Sequence, residues 1–164
     1  NEFIAKLVCS LKGSSLVLFQ FVEKHGIPLF EMIKERSTSP VYFVSGDVSV
    51  EEREAIRIAA SGPEKVIIVA SYQTFSTGIN IPSLENLIFA SPTKSKVRVL
   101  QSIGRVLRKS DGKDGATVFD LADDIGWKSR VNFTFAHFKE RMKYYIQQQQ
   151  PFKIYRVTLK EDIE

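Results

Sequence analysis

Several common chemistries are excluded by what the chain lacks. It has 164 residues but a single cysteine, Cys9, so it cannot form an internal disulfide. The two histidines, His25 and His137, are isolated from other metal-ligating residues, so no metal centre is predicted. No apolar run approaches the roughly 20 residues that span a bilayer, and no segment resembles a signal peptide. A cytoplasmic protein without membrane contact is the expectation.

The sequence also lacks a phosphate-binding loop of the form Gly-x-x-x-x-Gly-Lys-Ser/Thr, with which many nucleotide hydrolases hold a triphosphate. The nearest match, at residues 112–115, has neither the spacing nor the hydroxyl residue that should follow the lysine. The aspartates Asp120, Asp123 and Asp124 therefore have no phosphate loop beside which to hold magnesium. The chain alone is not predicted to hydrolyse a nucleotide.

Composition favours one globular domain with a mildly basic surface. Hydrophobic residues make up 43% of the chain and charged residues 26%, which suffices for a single buried core at this length. The formal net charge is +4. This balance favours a polyanionic partner, although only weakly.

Short apolar strands alternate with helices along the chain. Apolar runs rich in β-branched and aromatic residues predict strands at residues 15–21, 41–45, 65–70, 86–90 and 116–121. Helical patterns flank them at residues 3–11, at 27–36 after a break at 26–28, at 49–60 and around 100–108. This alternation predicts an α/β fold, a parallel sheet with helices on both faces and crossover connections.

The C-terminal part has a different pattern. Residues 130–149 form a helical repeat with one apolar stripe, Val131, Phe135, Phe138, Met142 and Tyr145. We interpret this stripe as core packing rather than as a platform for stacked bases, because an aromatic seam usually buries itself. An alternative for the basic residues of this helix is a nucleic-acid track of Lys139, Arg141 and Lys143. Residues 152–158 alternate in residue type and predict an edge strand that closes the sheet.

A cluster of cationic groups follows the fourth predicted strand. At about 100° per residue, one face of the helix there collects Gln101, Gly104, Arg105 and Arg108. Apolar residues such as Ile103 lie on the opposite side. Two planar guanidinium groups on one rigid face suit a multiply charged oxyanion such as a triphosphate. Gly104 costs about 1 kcal/mol relative to alanine in a helix, which indicates close approach by a partner. The alternative is a solvated basic face.

The pattern Gln101-x-x-Gly104-Arg105-x-x-Arg108 resembles motif VI of the superfamily 2 helicases and translocases. In that family the motif belongs to the second of two RecA-like domains and supplies an arginine finger to the γ-phosphate of ATP. The resemblance implies that Arg108 is the finger and Arg105 its partner on the phosphate, with Gln101 and Gly104 beside the nucleotide. It also implies that the α/β fold is RecA-like.

The segment after the third predicted strand resembles motif V of the same family, through Gly78, Asn80 and Pro82. The resemblance implies that Gly78 and Asn80 contact the nucleotide, and that Ser71 and Thr74 contact nucleic-acid phosphates. Asn80 replaces the usual aspartate, although its amide can still bond a ribose hydroxyl. The segment is also slightly longer than in the commonest versions. The alternative is a structural turn shaped by Gly78 and Pro82.

The turn after the second predicted strand is a further candidate contact. Gly46 lies there, and Ser49 with Glu52 has the pattern of a capping box that starts the next helix. In the family that the chain resembles, this turn commonly touches the nucleic-acid backbone, which implies such a contact at Gly46. A structural cap is an equal alternative, because Glu51 and Glu52 would repel a phosphate at the helix N-terminus itself.

The resemblance covers residues 16–121 and is most specific to the recombination helicases of T-even-like bacteriophages, through residues 74–80, 101–109 and 120–124. It implies that residues 1–164 are the second RecA-like motor domain of a larger protein, with residues 125–164 as a C-terminal extension. ATP with magnesium would be shared with the first RecA-like domain of the same polypeptide. The partner would be DNA, branched or single-stranded, in the host cytoplasm if a phage encodes the protein.

On this interpretation the complete protein is a DNA-dependent ATPase and helicase that unwinds or remodels branched DNA in recombination and repair, and this chain alone is inactive. Two alternatives come from other classes. One is a non-catalytic nucleic-acid-binding domain with a RecA-like fold, in which Arg105 and Arg108 affect binding alone. The other is a complete small enzyme of flavodoxin-like type, which leaves the ordered motifs around Gly46, Gly78 and Gly104 unexplained.

Overall fold

The structure is a computed structural model that describes residues 1–76, 81, 83–93, 95, 102–104, 106, 115–124 and 132–159. Within these ranges, five parallel strands form one sheet in the order β2-β3-β1-β4-β5. They are β1 (Ser15–Phe19), β2 (Val41–Val44), β3 (Ile67–Ser71), β4 (Asn86–Phe89) and β5 (Thr117–Asp120). Each lies where the sequence predicted a strand, so the parallel α/β fold is confirmed.

The three central strands are buried along their whole length. Every residue of β1, β3 and β4 is buried, and the register pairs Val17 with Val69 on one side and with Ile88 on the other. Successive side chains point to opposite faces of a sheet, and both faces are covered here. These strands therefore need apolar residues at consecutive positions, which is why they appear in the sequence as unbroken apolar runs.

Helices cover both faces of the sheet, as predicted. On one face, α1 (Glu2–Ser10) and α2 (Ile27–Arg36) pack against Val17, Phe19 and Val69. The other face is covered by α3 (Val50–Ala60), α4 (Tyr72–Ser76), the helical residues 102–104 and 106, and α5 (Phe133–Gln147). None of the helices in the described ranges is both long and apolar enough to cross a membrane.

The predicted break at residues 26–28 is wrong. Val22–Gly26 forms a wide π turn that runs directly into α2, and the Gly26 N–H donates to the Phe21 carbonyl at 2.9 Å. Pro28 lies in the first turn of α2, where a missing N–H is tolerated, so it does not interrupt the helix. Gly26 has a packing role instead, because a Cβ at this position would collide with the buried ring of Phe19.

The predicted edge strand at residues 152–158 is also wrong. Residues 151–159 have no regular secondary structure and are exposed, and β2 and β5 are the two edges of the described sheet. Alternation of residue types specifies a strand only when one of its sides is buried, and here the apolar side chains on both sides are exposed. The Phe152 ring lies 6.4 Å from the Tyr145 ring between centroids. The segment therefore begins against the end of α5 and not against β5.

Replacing Gly26 with alanine tests its packing role. The added methyl group meets the ring of Phe19, which has 0% exposure, so overpacking should lower the free energy of unfolding by about 1–3 kcal/mol. Gly115→Ala is the matched control, because a Cβ at that exposed position meets no described atom within 4 Å. Urea unfolding measures both variants. Equal stability of the two would contradict the tight contact between Gly26 and Phe19.

Candidate functional site at the carboxyl edge of the sheet

The carboxyl ends of the strands define the candidate site, because open parallel sheets bind ligands in the crevices outside these ends. The predicted contact residues Gly46, Ser71 and Thr74 end or follow such strands, and the structure describes them. The other predicted site residue that it describes is Gly104. The remaining ones lie outside the described residues, so their roles stay predictions: Gly78, Asn80, Gln101, Arg105 and Arg108.

The turn after β2 is held by local contacts. Gly46 is exposed, and Nη2 of Arg53 in α3 donates to its carbonyl at 3.4 Å. The predicted capping box is confirmed: Ser49 Oγ accepts from the Glu52 N–H at 3.1 Å, and the Ser49 N–H donates to Glu52 Oε2 at 3.0 Å. The N-terminus of α3 is therefore capped by its own side chains. A nucleic-acid contact at Gly46 stays a prediction.

Ser71 and Thr74 form a buried turn and not an exposed row of hydroxyls. Ser71 at the end of β3 has 6% exposure, and Thr74 in α4 has 3%. Their hydroxyl oxygens are 2.8 Å apart, and the Thr74 N–H donates to Ser71 Oγ at 3.1 Å. Ser71 thus satisfies an N–H of the first turn of α4, as capping serines do. Direct contact of either hydroxyl with nucleic acid stays a prediction.

The described helical residues within the predicted motif VI segment are anchored on their apolar side. Residues 102–104 and 106 are helical. Ile103 has 7% exposure and Val106 has 0%, and both belong to the apolar cluster that contains Leu18 of β1. Gly104 is exposed, and no described atom lies within 4 Å of the place where its Cβ would be. The predicted division into a buried and an open side is confirmed at these positions.

Ser91, just after β4, links three of the segments at this edge. Its hydroxyl accepts from the Gln20 N–H at 3.0 Å and is hydrogen-bonded to His25 Nδ1 at 2.7 Å. Its carbonyl accepts from the Tyr72 hydroxyl at 2.9 Å. These contacts join the carboxyl ends of β1, β3 and β4. Burial lowers the pKa of His25 from its ordinary value, so the folded protein favours the neutral imidazole.

A buried ion pair connects the ends of β4 and β5 to α5. Arg141 has 0% exposure, and its Nε and Nη2 donate to the carboxylate of Asp120, with the shortest distance at 2.6 Å. Its Nη1 donates to the Thr93 carbonyl at 2.8 Å. The Tyr145 hydroxyl donates to Asp120 Oδ2 at 2.6 Å. We call these four groups the Asp120 network.

Both donors of the Asp120 network keep their protons. Burial disfavours the charged guanidinium, but the hydrogen bond and the charge of Asp120 outweigh it and raise the pKa of Arg141. Burial, together with the negative charge of Asp120, raises the pKa of Tyr145. At neutral pH the guanidinium is therefore charged and the phenol neutral, so both donate to the same carboxylate.

Sequence reasoning missed this network. The interpretation of Arg141 as part of a nucleic-acid track is wrong, because its side chain is buried against Asp120. A signal was present, since Arg141 lies three residues after Phe138 and four before Tyr145 and so belongs to the apolar stripe itself. A charge within a buried stripe requires a partner. Asp120, at the end of an apolar strand, was the available one.

Core packing is confirmed at one end of the α5 stripe. Tyr145 is buried in the apolar cluster that also holds Ile103 and Val106. The other described members of the stripe are half-buried: Phe135, Phe138 and Met142. Val131 lies outside the described residues. Over the part of the chain that the structure describes, no three His, Cys, Asp or Glu side chains are grouped to hold a metal ion.

Known proteins resemble this chain in sequence and in structure. The family model described as helicase conserved C-terminal domain matches residues 1–110. The ATP-dependent DNA helicase uvsW of Enterobacteria phage T4 is 39% identical, over 88% of this chain and 31% of that protein. The putative ATP-dependent helicase IRC3 of Saccharomyces cerevisiae is 26% identical, over 77% of this chain and 19% of that protein. The crystal structure of T4 UvsW matches with a TM-score of 0.72 and 38% identity, over 90% of this chain and 32% of that chain.

These similarities confirm the RecA-like fold and the predicted resemblance to a helicase of a T-even bacteriophage. The chain spans about a third or less of the length of the curated relatives described above, 31% and 19% respectively. Strand β5 and helix α5 lie beyond residue 110, where the match to the family model ends.

Removing the charge of Arg141 should destabilise the domain strongly. Arg141→Met leaves the Asp120 carboxylate, whose side chain has 8% exposure, without its cation, and breaking a buried pair in this way costs about 3–5 kcal/mol. The matched control is Arg156→Met, because the Arg156–Asp124 pair is exposed and should contribute about 0–1 kcal/mol. Chemical denaturation of both variants checks this. Similar losses for the two would contradict the burial of the Asp120 network.

The His25 pKa predicts a loss of stability in mild acid. The folded protein binds a proton at His25 less readily than the unfolded chain, so the free energy of unfolding should fall as the pH drops below about 6.5. The loss should reach at most about 1.4 kcal/mol for each unit by which folding lowers the pKa. His25→Gln removes this titration and should flatten the dependence between about pH 6.5 and 5. Identical pH profiles for the variant and the unmodified protein would contradict the lowered pKa.

Proposed function

Because the chain belongs to the helicase conserved C-terminal domain family, we propose that it is the second motor domain of an ATP-dependent DNA helicase or translocase. The complete protein would unwind or remodel branched DNA in recombination and repair. The 39% identity to a phage ATP-dependent DNA helicase supports the DNA and ATP parts of this proposal. On this proposal the chain, residues 1–164, acts with a first RecA-like domain of the same polypeptide and carries a C-terminal extension at 125–164.

The observation that carries the proposal is the orientation of the helical residues 102–104 and 106. Ile103 and Val106 are buried, while Gly104 is exposed and no described atom lies within 4 Å of the place where its Cβ would be. A phosphate group can approach an exposed glycine closely because no side chain intervenes. The exposed Gly104 supports close approach by the phosphates of ATP, and Gln101 would contact the nucleotide beside it.

Arg105 and Arg108 would act by electrostatics. ATP with magnesium, shared with the first domain, would supply the phosphoryl group that is transferred to water. The two guanidinium groups would donate hydrogen bonds to the negative charge that develops on that group, and Arg108 would be the arginine finger. The neighbouring Ile103 and Val106 are held by the core, so the two arginines would need little reorganisation when the charge develops.

The segment that follows α4 in the sequence would couple the nucleotide to DNA. Gly78 and Asn80 would contact the nucleotide, and the buried pair of Ser71 and Thr74 would hold the start of that segment. Contacts to the DNA backbone would come from this segment and from the exposed turn at Gly46. Closing and opening of the two motor domains around ATP would then move the DNA strand.

ATP hydrolysis by the complete gene product, with and without branched or single-stranded DNA, tests the proposal. We expect DNA-stimulated turnover in the complete protein and none in residues 1–164 alone. Arg108→Ala should lower kcat by a factor of about 10³ to 10⁵, as loss of an arginine finger does. Arg36→Ala is the control, because that exposed arginine pairs with Glu2 on the other face of the sheet and should leave kcat unchanged.

Two results would contradict the proposal in different ways. An Arg108→Ala protein with full DNA-stimulated turnover would exclude the finger role. Absence of turnover in the complete gene product, with DNA binding retained, would favour the alternative, a non-catalytic nucleic-acid-binding domain with a RecA-like fold.

A further inference from the structure

The Asp120 network shares an apolar cluster with the helical residues 102–104 and 106, beside the predicted arginines in the sequence. Tyr145 belongs to the same apolar cluster as Ile103 and Val106, so the aromatic ring that anchors the network also forms part of the core on which these helical residues pack. The Thr93 carbonyl, which accepts from Arg141, belongs to the connection between β4 and these residues. The network is therefore connected to this region through the ring of Tyr145 and through the backbone of Thr93.

The geometry of the network leaves it little freedom. The Arg141 guanidinium uses Nε and Nη2 on Asp120 and Nη1 on Thr93, so it cannot rotate without breaking several hydrogen bonds. The Asp120 carboxylate is held in turn by the Tyr145 hydroxyl. The Ser95 N–H donates to Thr93 Oγ1 at 3.3 Å, so the backbone two residues further along is also tied to Thr93.

Stabilisation of the folded domain does not by itself explain why a buried ionic network is present here. Buried ion pairs repay their desolvation only in part, and well-packed apolar residues of similar volume often stabilise a core as well or better. A fixed set of directional bonds differs from apolar packing because it sets the position of a backbone segment. Here that segment is Thr93, at the edge of the sheet where ligands bind.

We propose that Asp120, Arg141 and Tyr145 are positioning residues, which set the place of the helical residues 102–104 and 106 and thereby that of the predicted Arg105 and Arg108. This inference rests on the proposed function, because positioning matters only if those arginines meet a phosphate. It assigns a role to β5 and α5, which lie beyond the residues matched by the family model. On this proposal, the three residues act through the backbone and the core rather than by binding the nucleotide.

Arg141→Lys in the complete gene product tests the proposal. Lysine keeps the positive charge beside Asp120, but a single ammonium group cannot reproduce the planar set of donors that reaches both Asp120 and Thr93. A small misplacement of catalytic groups can cost about a hundredfold in rate, so we expect kcat per folded molecule to fall at least about tenfold, with KM for ATP little changed. Tyr145→Phe, which keeps the ring and loses one hydrogen bond, should show a smaller fall.

Two matched controls separate positioning from general destabilisation. Arg156→Lys makes the same chemical change at an exposed ion pair, and Tyr155→Phe makes it at an exposed tyrosine; both should keep full kcat. Hydrogen exchange, which needs no ATP, should become faster in residues 99–109 of Arg141→Lys. Exchange in α1 and α2, on the opposite face of the sheet, should not change.

The outcomes are distinguishable from those for the proposed function. Unchanged kcat per folded Arg141→Lys molecule, with Arg108→Ala inactive, would overturn positioning and leave the arginine finger intact. Unchanged exchange in residues 99–109 would overturn it as well. If the unmodified complete protein shows no DNA-stimulated turnover, the proposed function is wrong. The expected effect of the positioning residues on kcat is then wrong as well.

Discussion

The common direction of the strands constrains the rest of this molecule. Every strand pair in the described sheet is parallel, so each connection has to cross a face of the sheet and every strand ends at the same edge. The crossing helices bury both faces, which requires β1, β3 and β4 to be apolar throughout. Because all the strands run in the same direction, the segments that follow them lie together at one edge of the sheet. Ser91 and the Asp120 network then bind these segments to one another.

Several polar side chains at this edge form their hydrogen bonds or ion pairs with other groups of the domain. The Ser71 and Thr74 hydroxyls pair with each other, and Arg141 is neutralised by Asp120. Such groups hold the backbone, because a buried polar group that left its partner would carry a large desolvation cost. Gly104 is exposed, whereas the neighbouring Ile103 and Val106 are buried. In the proposed mechanism, rigid internal bonds would support the arginines that bind phosphate, an arrangement that suits electrostatic catalysis.

Elements specified by local signals could be predicted from the sequence, whereas partners distant in the chain could not. The capping box depends on Ser49 and Glu52 alone, and the central strands on unbroken apolar runs, so both were found. Gly26 was taken for a break because the Phe19 ring that requires a glycine there is not visible in the local pattern. Alternation at residues 152–158 could not reveal that no neighbouring strand pairs with it in the described sheet. Within the candidate site, the positions of Gly46, Ser71 and Thr74 after their strands followed from the sequence, but the inward direction of the two hydroxyls did not.

A structure of the complete gene product with magnesium, a non-hydrolysable ATP analogue and single-stranded DNA would show which residues meet the γ-phosphate. We expect the Arg108 guanidinium to contact the γ-phosphate with Arg105 beside it, while Arg141 remains hydrogen-bonded to Asp120 and Thr93. A nucleotide that contacts neither Arg105 nor Arg108 would contradict the account. So would an Arg141 side chain that has left Asp120 to bind the phosphate itself.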